Sequence, residues 1–288
     1  MDEDKQRGQY SLAAGVAVAT KLAAQGRFIF TTDEARRVAA DLGMPPSGVA
    51  MMLSRMAGTG WIVRLRRGLY VGTGRVPGGM DVHPYAIATA LVQPSAISLW
   101  SALSHHGLTT QVPRIVTATT PRKVTTPSMR GTDQGDAETR PIGVPHTWSV
   151  GHVDIEYVTV RSDRFFGSED VWIDQQFRVP IMDRERTIID LVAQPRIFGG
   201  LDTALATLDE HWRELDVPQL VDYAIRYDSK AVAARLGWCL EEVGAESDAL
   251  ERLRPLVGPG QQILAPTRPK RGRRNSRWSV LDNVSASS

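Results

Sequence analysis

Between residues 28 and 72 the apolar positions change period three times. Phe28-Ile29-Phe30 is a short continuous apolar run, which predicts a strand. Ala35, Val38, Ala39 and Leu42 then recur at helical spacing behind Thr31-Thr32-Asp33-Glu34, where Thr31 with Glu34 three residues on fits a capping box. Gly43 ends that helix, and Pro45-Pro46 cannot continue a helix but can start one. Val49, Met52, Leu53 and Met56 follow i, i+3, i+4, i+7 and predict the buried stripe of a second helix. Its other face carries Ser47, Gly48, Ala50, Met51, Ser54 and Arg55, and Gly58 and Gly60 break it. Trp61, Val63 and Leu65 alternate with Ile62, Arg64 and Arg66, a period-2 strand. Arg66-Arg67-Gly68 makes a turn and Leu69-Tyr70-Val71 returns.

Strand, capped helix, break, helix and basic hairpin are the parts of a winged helix-turn-helix, which lays one helix in a DNA groove. The candidate DNA-binding residues are Ser47, Met51, Ser54 and Arg55 on the second helix, small or polar enough to approach base edges. Arg64, Arg66 and Arg67 at the hairpin join them as candidate phosphate or minor-groove contacts. A small helical domain with a solvated basic hairpin would carry the same charges, but helix order, break and wing agree in favouring DNA.

The remaining periodicity divides the chain. Residues 10–25 predict an opening helix with Leu12, Val16, Ala19 and Leu22/Ala23 as its stripe, stopped by Gly26. Residues 72–80 are rich in Gly and Pro and read as a linker. Beyond it, helical stretches at 85–92 and 99–106 flank a short extended piece at 96–98. Strands are predicted at 115–119, 147–150, 153–160, 171–173 and 177–181, and such a series suggests a mostly antiparallel sheet. Residues 120–142 lack apolar anchors and read as a mobile loop. From Asp183 the pattern is helical to Leu253. The expected fold class is α+β: a winged helix-turn-helix over 1–78, then a larger mixed domain over 79–255 with a short antiparallel sheet followed by helices. Residues 256–288 are Gly/Pro-rich, then basic, then Ser-rich, and predict a disordered tail.

The 288 residues carry a formal net charge of +2 that hides an asymmetry. Residues 1–76 hold 11 Lys/Arg against 6 Asp/Glu, residues 77–265 hold 17 against 25, and residues 266–277 hold 6 basic residues and no acid. Contact with polyanions therefore falls to the ends of the chain. Lys270, Arg271, Arg273 and Arg274 form either an auxiliary DNA arm or a solubilising end. No apolar run is long enough to span a bilayer, the N-terminus is acidic and polar, and Cys239 stands alone, so a cytoplasmic protein without membrane contact is expected.

Candidate chemistry is sparse. His105 and His106 are adjacent on a predicted helix and point apart, so they suit packing and capping better than chelation. Asp154 and Glu156 share a strand face, and a divalent metal between them would make a nuclease, but no nearby Lys completes such a site. Asp228-Ser229-Lys230 has suitable residue types but falls between helices. No Gly-x-Ser-x-Gly elbow, phosphate loop or dinucleotide fingerprint is present. No catalytic residue, metal or cofactor is expected. A metal-dependent, DNA-processing nuclease with an N-terminal reader is the alternative.

The winged segment is followed by HPYAIATALVQPSAISLWSALSHHGLTTQVP at 83–113, VPIMDRERTIIDLV at 179–192, GGLDTALATL at 199–208 and ARLGWCLEEVG at 234–244. Together they resemble the AbiEi family, antitoxins of AbiE-type (type IV) toxin–antitoxin systems, over about residues 10–250. The segments 97–107 and 183–190 are the distinctive pieces. The resemblance implies a winged domain joined to an antitoxin domain and repression of the protein's own operon through inverted repeats in double-stranded promoter DNA. It also implies a cognate nucleotidyltransferase-like toxin, countered functionally and with or without direct contact. The family supplies no catalytic residues.

Overall fold

A computed structural model describes residues 2–73, 82–125, 146–245, 247–258, 260–266 and 268–284. The expected linker beyond Thr73 and most of the expected mobile loop, 126–142, lie outside the described residues. The chain forms two compact units. One comprises Met1–Gln93, Trp148–Asp154 and Val171–Val179, and the other Pro94–Thr147, Ile155–Asp170 and Pro180–Ser288.

The first unit opens with α1 (Asp2–Ala24), β1 (Ile29–Thr31), α2 (Thr32–Asp41), a 3₁₀ turn (Pro46–Gly48), α3 (Val49–Gly58), β2 (Ile62–Arg66) and β3 (Leu69–Gly72). The strands form an antiparallel sheet in the order β1-β3-β2. α2 starts where the sequence places it. Thr31 and Glu34 close a full capping box, with Thr31 N donating to Glu34 Oε2 (2.8 Å) and Glu34 N donating to Thr31 Oγ1 (3.2 Å). On α3 the buried residues are Val49, Met52, Leu53 and Met56, the predicted stripe.

α1 differs. Its buried positions are Gly15, Val18 and Leu22, while Leu12, Val16 and Ala19 are only half-buried. Gly15 is the reason: a Cβ there would stand 2.6 Å from Met56 Sδ and 3.2 Å from Met52 Cγ, so the two helices meet at the glycine. Leu42, predicted in the α2 stripe, is 43% exposed beyond the end of that helix.

α4 (Pro84–Leu91) follows, then β4 (Ala96–Ile97), α5 (Leu99–His105), β5 (Val116–Thr120), β6 (His146–Val150), β7 (Val153–Thr159), β8 (Ser168–Ile173) and β9 (Phe177–Met182). These strands form a six-stranded sheet in the order β6-β7-β5-β4-β9-β8. The sheet is mixed, with parallel as well as antiparallel neighbours. β4 and β5 run antiparallel, but β5–β7 and β4–β9 are parallel. Parallel neighbours need long crossovers, and here β4 and β9 are joined only through the intervening chain.

α6 (Arg184–Ala193), α7 (Leu201–His211), α8 (Val217–Tyr227), α9 (Lys230–Glu242) and α10 (Arg254–Val257) complete the helical part. Ile188, Ile189, Leu191 and Val192 of α6 are fully buried among residues of α7, α8 and α9. Strands, then helices, in one chain make the α+β class expected.

The expected disordered tail is folded over its described residues. Gln262–Ile263 (β10), Arg273–Asn275 (β11) and Val280–Asp282 (β12) form a sheet in the order β10-β12-β11. Leu264, Trp278 and Val280 are 0% exposed and belong to the core of the second unit. A composition rich in Gly, Pro, Arg and Ser conceals these few, widely spaced anchors.

Candidate nucleic-acid interface

The interface is built on the core that fixes α3. Val18 and Leu22 of α1, Ala35, Val38 and Ala39 of α2, and Val49, Met52, Leu53 and Met56 of α3 pack with Phe30 and Ile62. With that stripe held inward, Ala50, Met51, Ser54 and Arg55 are exposed together on the opposite face of α3, while Ser47, expected on that helix, is exposed in the 3₁₀ turn before it. Met51 is 62% exposed, unusual for a large apolar side chain that α3 could have turned inward. Thr59 Oγ1 donates to Arg55 O (2.9 Å), closing the end of the helix beneath the Arg55 side chain.

Strict alternation fails in β2. The structure buries Ile62 and Leu65 and leaves Val63 half-buried, where Trp61, Val63 and Leu65 were predicted on one face. A register shift between Arg64 and Arg66 marks a bulge opposite β3, with Arg64 across from Tyr70 and Arg66 across from Leu69. The extra residue returns Leu65 to the core and leaves Arg64 and Arg66 both in solvent. Arg67, exposed as well, sits at the turn, where Gly68 takes φ +77°. Gly68 O accepts from Thr32 N (3.0 Å), so the wing turn is tied to the start of α2.

Ion pairing sorts the cations of this unit. Lys21 pairs with Asp41 (3.4 Å), Arg27 with Glu34 (3.3 Å) and Arg36 with Asp33 (2.7 Å). Arg55, Arg64, Arg66 and Arg67 have no ion-pair partner among the described residues, and neither has Arg37. Arg37 is a site candidate the sequence reading missed. Asp33 and Asp41 both lie four residues from it, a spacing that suggests neutralisation on the helix. In the structure those acids are taken by Arg36 and Lys21. Burial raises the Glu34 carboxyl, but hydrogen bonds from Thr31 and the charges of Arg27 and Arg37 outweigh it and hold Glu34 below its ordinary range.

The other candidates are dispersed. Arg273 and Arg274 are exposed on β11 of the C-terminal sheet, and Lys270 and Arg271 are exposed in the turn before it. His106 Nε2 lies 2.7 Å from Met182 O, a packing role, and stacks edge-on with His105 at 5.0 Å. Asp154 is exposed and Glu156 half-buried on β7, and Asp228 caps α8 in a left-handed conformation. Among the described residues no three His, Cys, Asp or Glu side chains gather as a metal site. Nor is any described helix long and apolar enough to cross a membrane.

Comparison with known proteins adds to this geometry. No curated protein matches the chain. The crystal structure of the RV2827C protein from Mycobacterium tuberculosis is similar over 94% of this chain and 92% of that one, with a TM-score of 0.61 and 12% sequence identity, a likeness of fold. A family model described as "Transcriptional regulator, AbiEi antitoxin" matches residues 18–71. That span runs from Val18 of α1 through both helices of the motif to Val71 of the wing. Residues 18–71 thus carry the signature of the AbiEi antitoxin transcriptional regulators, the family that the sequence resembles.

Proposed function

We propose that the chain is a DNA-binding antitoxin of a type IV toxin–antitoxin pair that represses its own operon. The observation that supports it best is the pairing of two features within the matched segment. The exposed face of α3 with the turn before it offers Ser47, Met51, Ser54 and Arg55, and one braced hairpin offers three arginines with no ion-pair partner among the described residues. Side chains on a rigid helix suit base edges in the major groove, and clustered cations at a turn suit phosphate. α3 reads promoter inverted repeats, and Arg64, Arg66 and Arg67 hold the backbone.

The second activity falls to the larger domain, 79–255, which counteracts a nucleotidyltransferase-like toxin without chemistry of its own. Its residues 77–265 carry 25 acids against 17 basic residues, which disfavours nucleic acid and suits a basic partner. The test uses the full chain with Arg55, Arg64, Arg66 and Arg67 all changed to Ala. That variant should lose repression of a promoter reporter yet still rescue growth from the cognate toxin expressed from an unrelated promoter. Loss of both activities together would show that the winged domain serves neutralisation directly. Metal-dependent cleavage of plasmid DNA by the wild-type protein would favour a nuclease instead.

A further inference from the structure

Six basic residues without an acid occupy 268–277, and the structure divides them into two kinds. The outer pair are fasteners. Arg268 Nη2 binds Asp202 Oδ1 (3.1 Å) and its Nη1 donates to Val284 O (3.0 Å). Arg277 reaches Glu241 Oε1 and Glu251 Oε1, each at 2.7 Å. Between them Lys270, Arg271, Arg273 and Arg274 are exposed, and none has an ion-pair partner among the described residues.

The backbone under these four is not loose. Asn283 Nδ2 donates to Ala265 O (2.9 Å) and to Pro269 O (3.0 Å), while its Oδ1 accepts from Ala265 N (2.9 Å). Gly272 lies so close to β12 that a Cβ would run into the carbonyl oxygen of Asp282. Trp278, wholly buried, packs on Gly237 and donates from Nε1 to Glu241. β11 is the edge of its sheet, with Arg273 opposite Asp282 and Arg274 opposite Leu281.

We propose that Lys270, Arg271, Arg273 and Arg274 form a second, rigid DNA-binding surface that grips the phosphate backbone outside the winged domain. It takes from the proposed function only that duplex DNA is the ligand. Charge complementarity carries the assignment. Four unneutralised cations within five residues stand on a unit that is otherwise rich in acids. Protein interfaces are built around buried aromatic or apolar anchors. Among the described residues 260–284 no large hydrophobic side chain is exposed to serve as one. A phosphate surface needs none.

The experiment measures binding of the full chain to a promoter duplex and to a scrambled duplex of equal length, between about 50 and 200 mM salt. With Lys270, Arg271, Arg273 and Arg274 all changed to Gln, both duplexes should bind at least about tenfold more weakly. The log–log salt slope should drop by about 3.6, at ~0.9 for each of the four lost phosphate contacts. Replacing Arg64, Arg66 and Arg67 by Ala should leave a salt-dependent residual binding that vanishes when both sets are changed. In the wild-type protein, which needs no variant to fold, bound duplex should protect Lys270 from acetylation while leaving Lys230 reactive. An unchanged slope in the Gln variant together with a reactive Lys270 overturns the proposal while the winged-helix reading stands. Wild type that binds neither duplex overturns both. Unchanged DNA binding with lost affinity for the cognate toxin would make the ridge a protein-docking surface and overturn it too.

Discussion

In the first unit Arg64, Arg66 and Arg67 stand in solvent with no ion-pair partner among the described residues. In the second unit Arg186 is 0% exposed and forms an i, i+4 ion pair with Asp190, itself 0% exposed. Its guanidinium lies 5.1 Å from the Phe166 ring and 5.5 Å from the Tyr227 ring, and Nη2 donates to Arg164 O (3.0 Å). The same side chain therefore serves two ends. A cation left in water costs nothing to keep and remains available to a ligand. A cation taken from water must be satisfied within the fold, because desolvation costs several kcal/mol per ion. Exposure and pairing, rather than residue type, separate a cation left open to a ligand from one built into the fold.

The largest test of that contrast removes the buried partner. Asp190→Ala should lower the stability of the full chain by about 3–5 kcal/mol in urea unfolding, since Arg186 is left charged and uncompensated. Burial pushes the Asp190 carboxyl up, against the opposing pull of Arg186, so desolvation offsets much of what the pair contributes. Changing both residues together, Arg186→Met with Asp190→Leu, should therefore cost much less than Asp190→Ala alone. The contrast breaks if the single variant costs under about 1 kcal/mol, a surface-like value. Arg66→Ala, the matching change in the wing, should move stability by no more than about 0.5 kcal/mol.

Arg55→Ala sharpens the comparison within the first unit. Arg55 shares the exposed face of α3 with Met51 and Ser54, where a bidentate contact to guanine is worth about 1–3 kcal/mol. Titration should show that loss on the promoter duplex and little change on a scrambled one. Equal loss on both would move Arg55 to the phosphate class of Arg64, Arg66 and Arg67.

Met51 should give a smaller, more selective effect. An apolar side chain in the major groove can contact only the thymine methyl among the base-edge groups. Replacing thymine by deoxyuridine at one operator position should weaken wild-type binding by about 0.8 kcal/mol, the value of one buried methylene-sized group. Met51→Ala should be insensitive to that replacement. If every deoxyuridine position is silent in the wild type, Met51 does not face the groove floor.

These tests also mark where the sequence was readable. The capping box and the α3 stripe depend on neighbours within one or two helical turns, and both were legible. The exposed face of α3 followed from the same stripe. What escaped depends on distant partners. The β2 bulge is decided across the strand pair, Gly15 matters only because Met56 meets it, and Arg37 lost its two local acids to Arg36 and Lys21. Parallel pairing of β4 with β9 joins residues as far apart as Ile97 and Ile181. The C-terminal strap was misread for the same reason. Trp278 and Val280 look isolated in sequence, but they enter a core that also holds Leu236, Trp238 and Leu240 of α9.

The least selective effect on DNA binding is expected from the cap that orients α2 beneath the wing turn. Thr31→Ala removes the acceptor for Glu34 N and should destabilise by about 1 kcal/mol at neutral pH. Glu34 makes the pH dependence specific. Its carboxylate is held below its ordinary range, so the unfolded chain takes up the proton first as pH falls. The stabilisation from Glu34 is therefore full above the ordinary carboxylate range and is lost as pH drops through the folded-state value. Wild type should be more stable than Glu34→Gln at pH 7, and the two melting curves should converge in acid. A gap that persists well below the carboxylate range would show that Glu34 acts through packing, not through charge. DNA binding offers the second readout, because Gly68 O accepts from Thr32 N and couples the cap to the wing. Thr31→Ala should shift promoter and scrambled binding alike, since it loosens the hairpin that carries Arg66 and Arg67 and leaves the face of α3 intact.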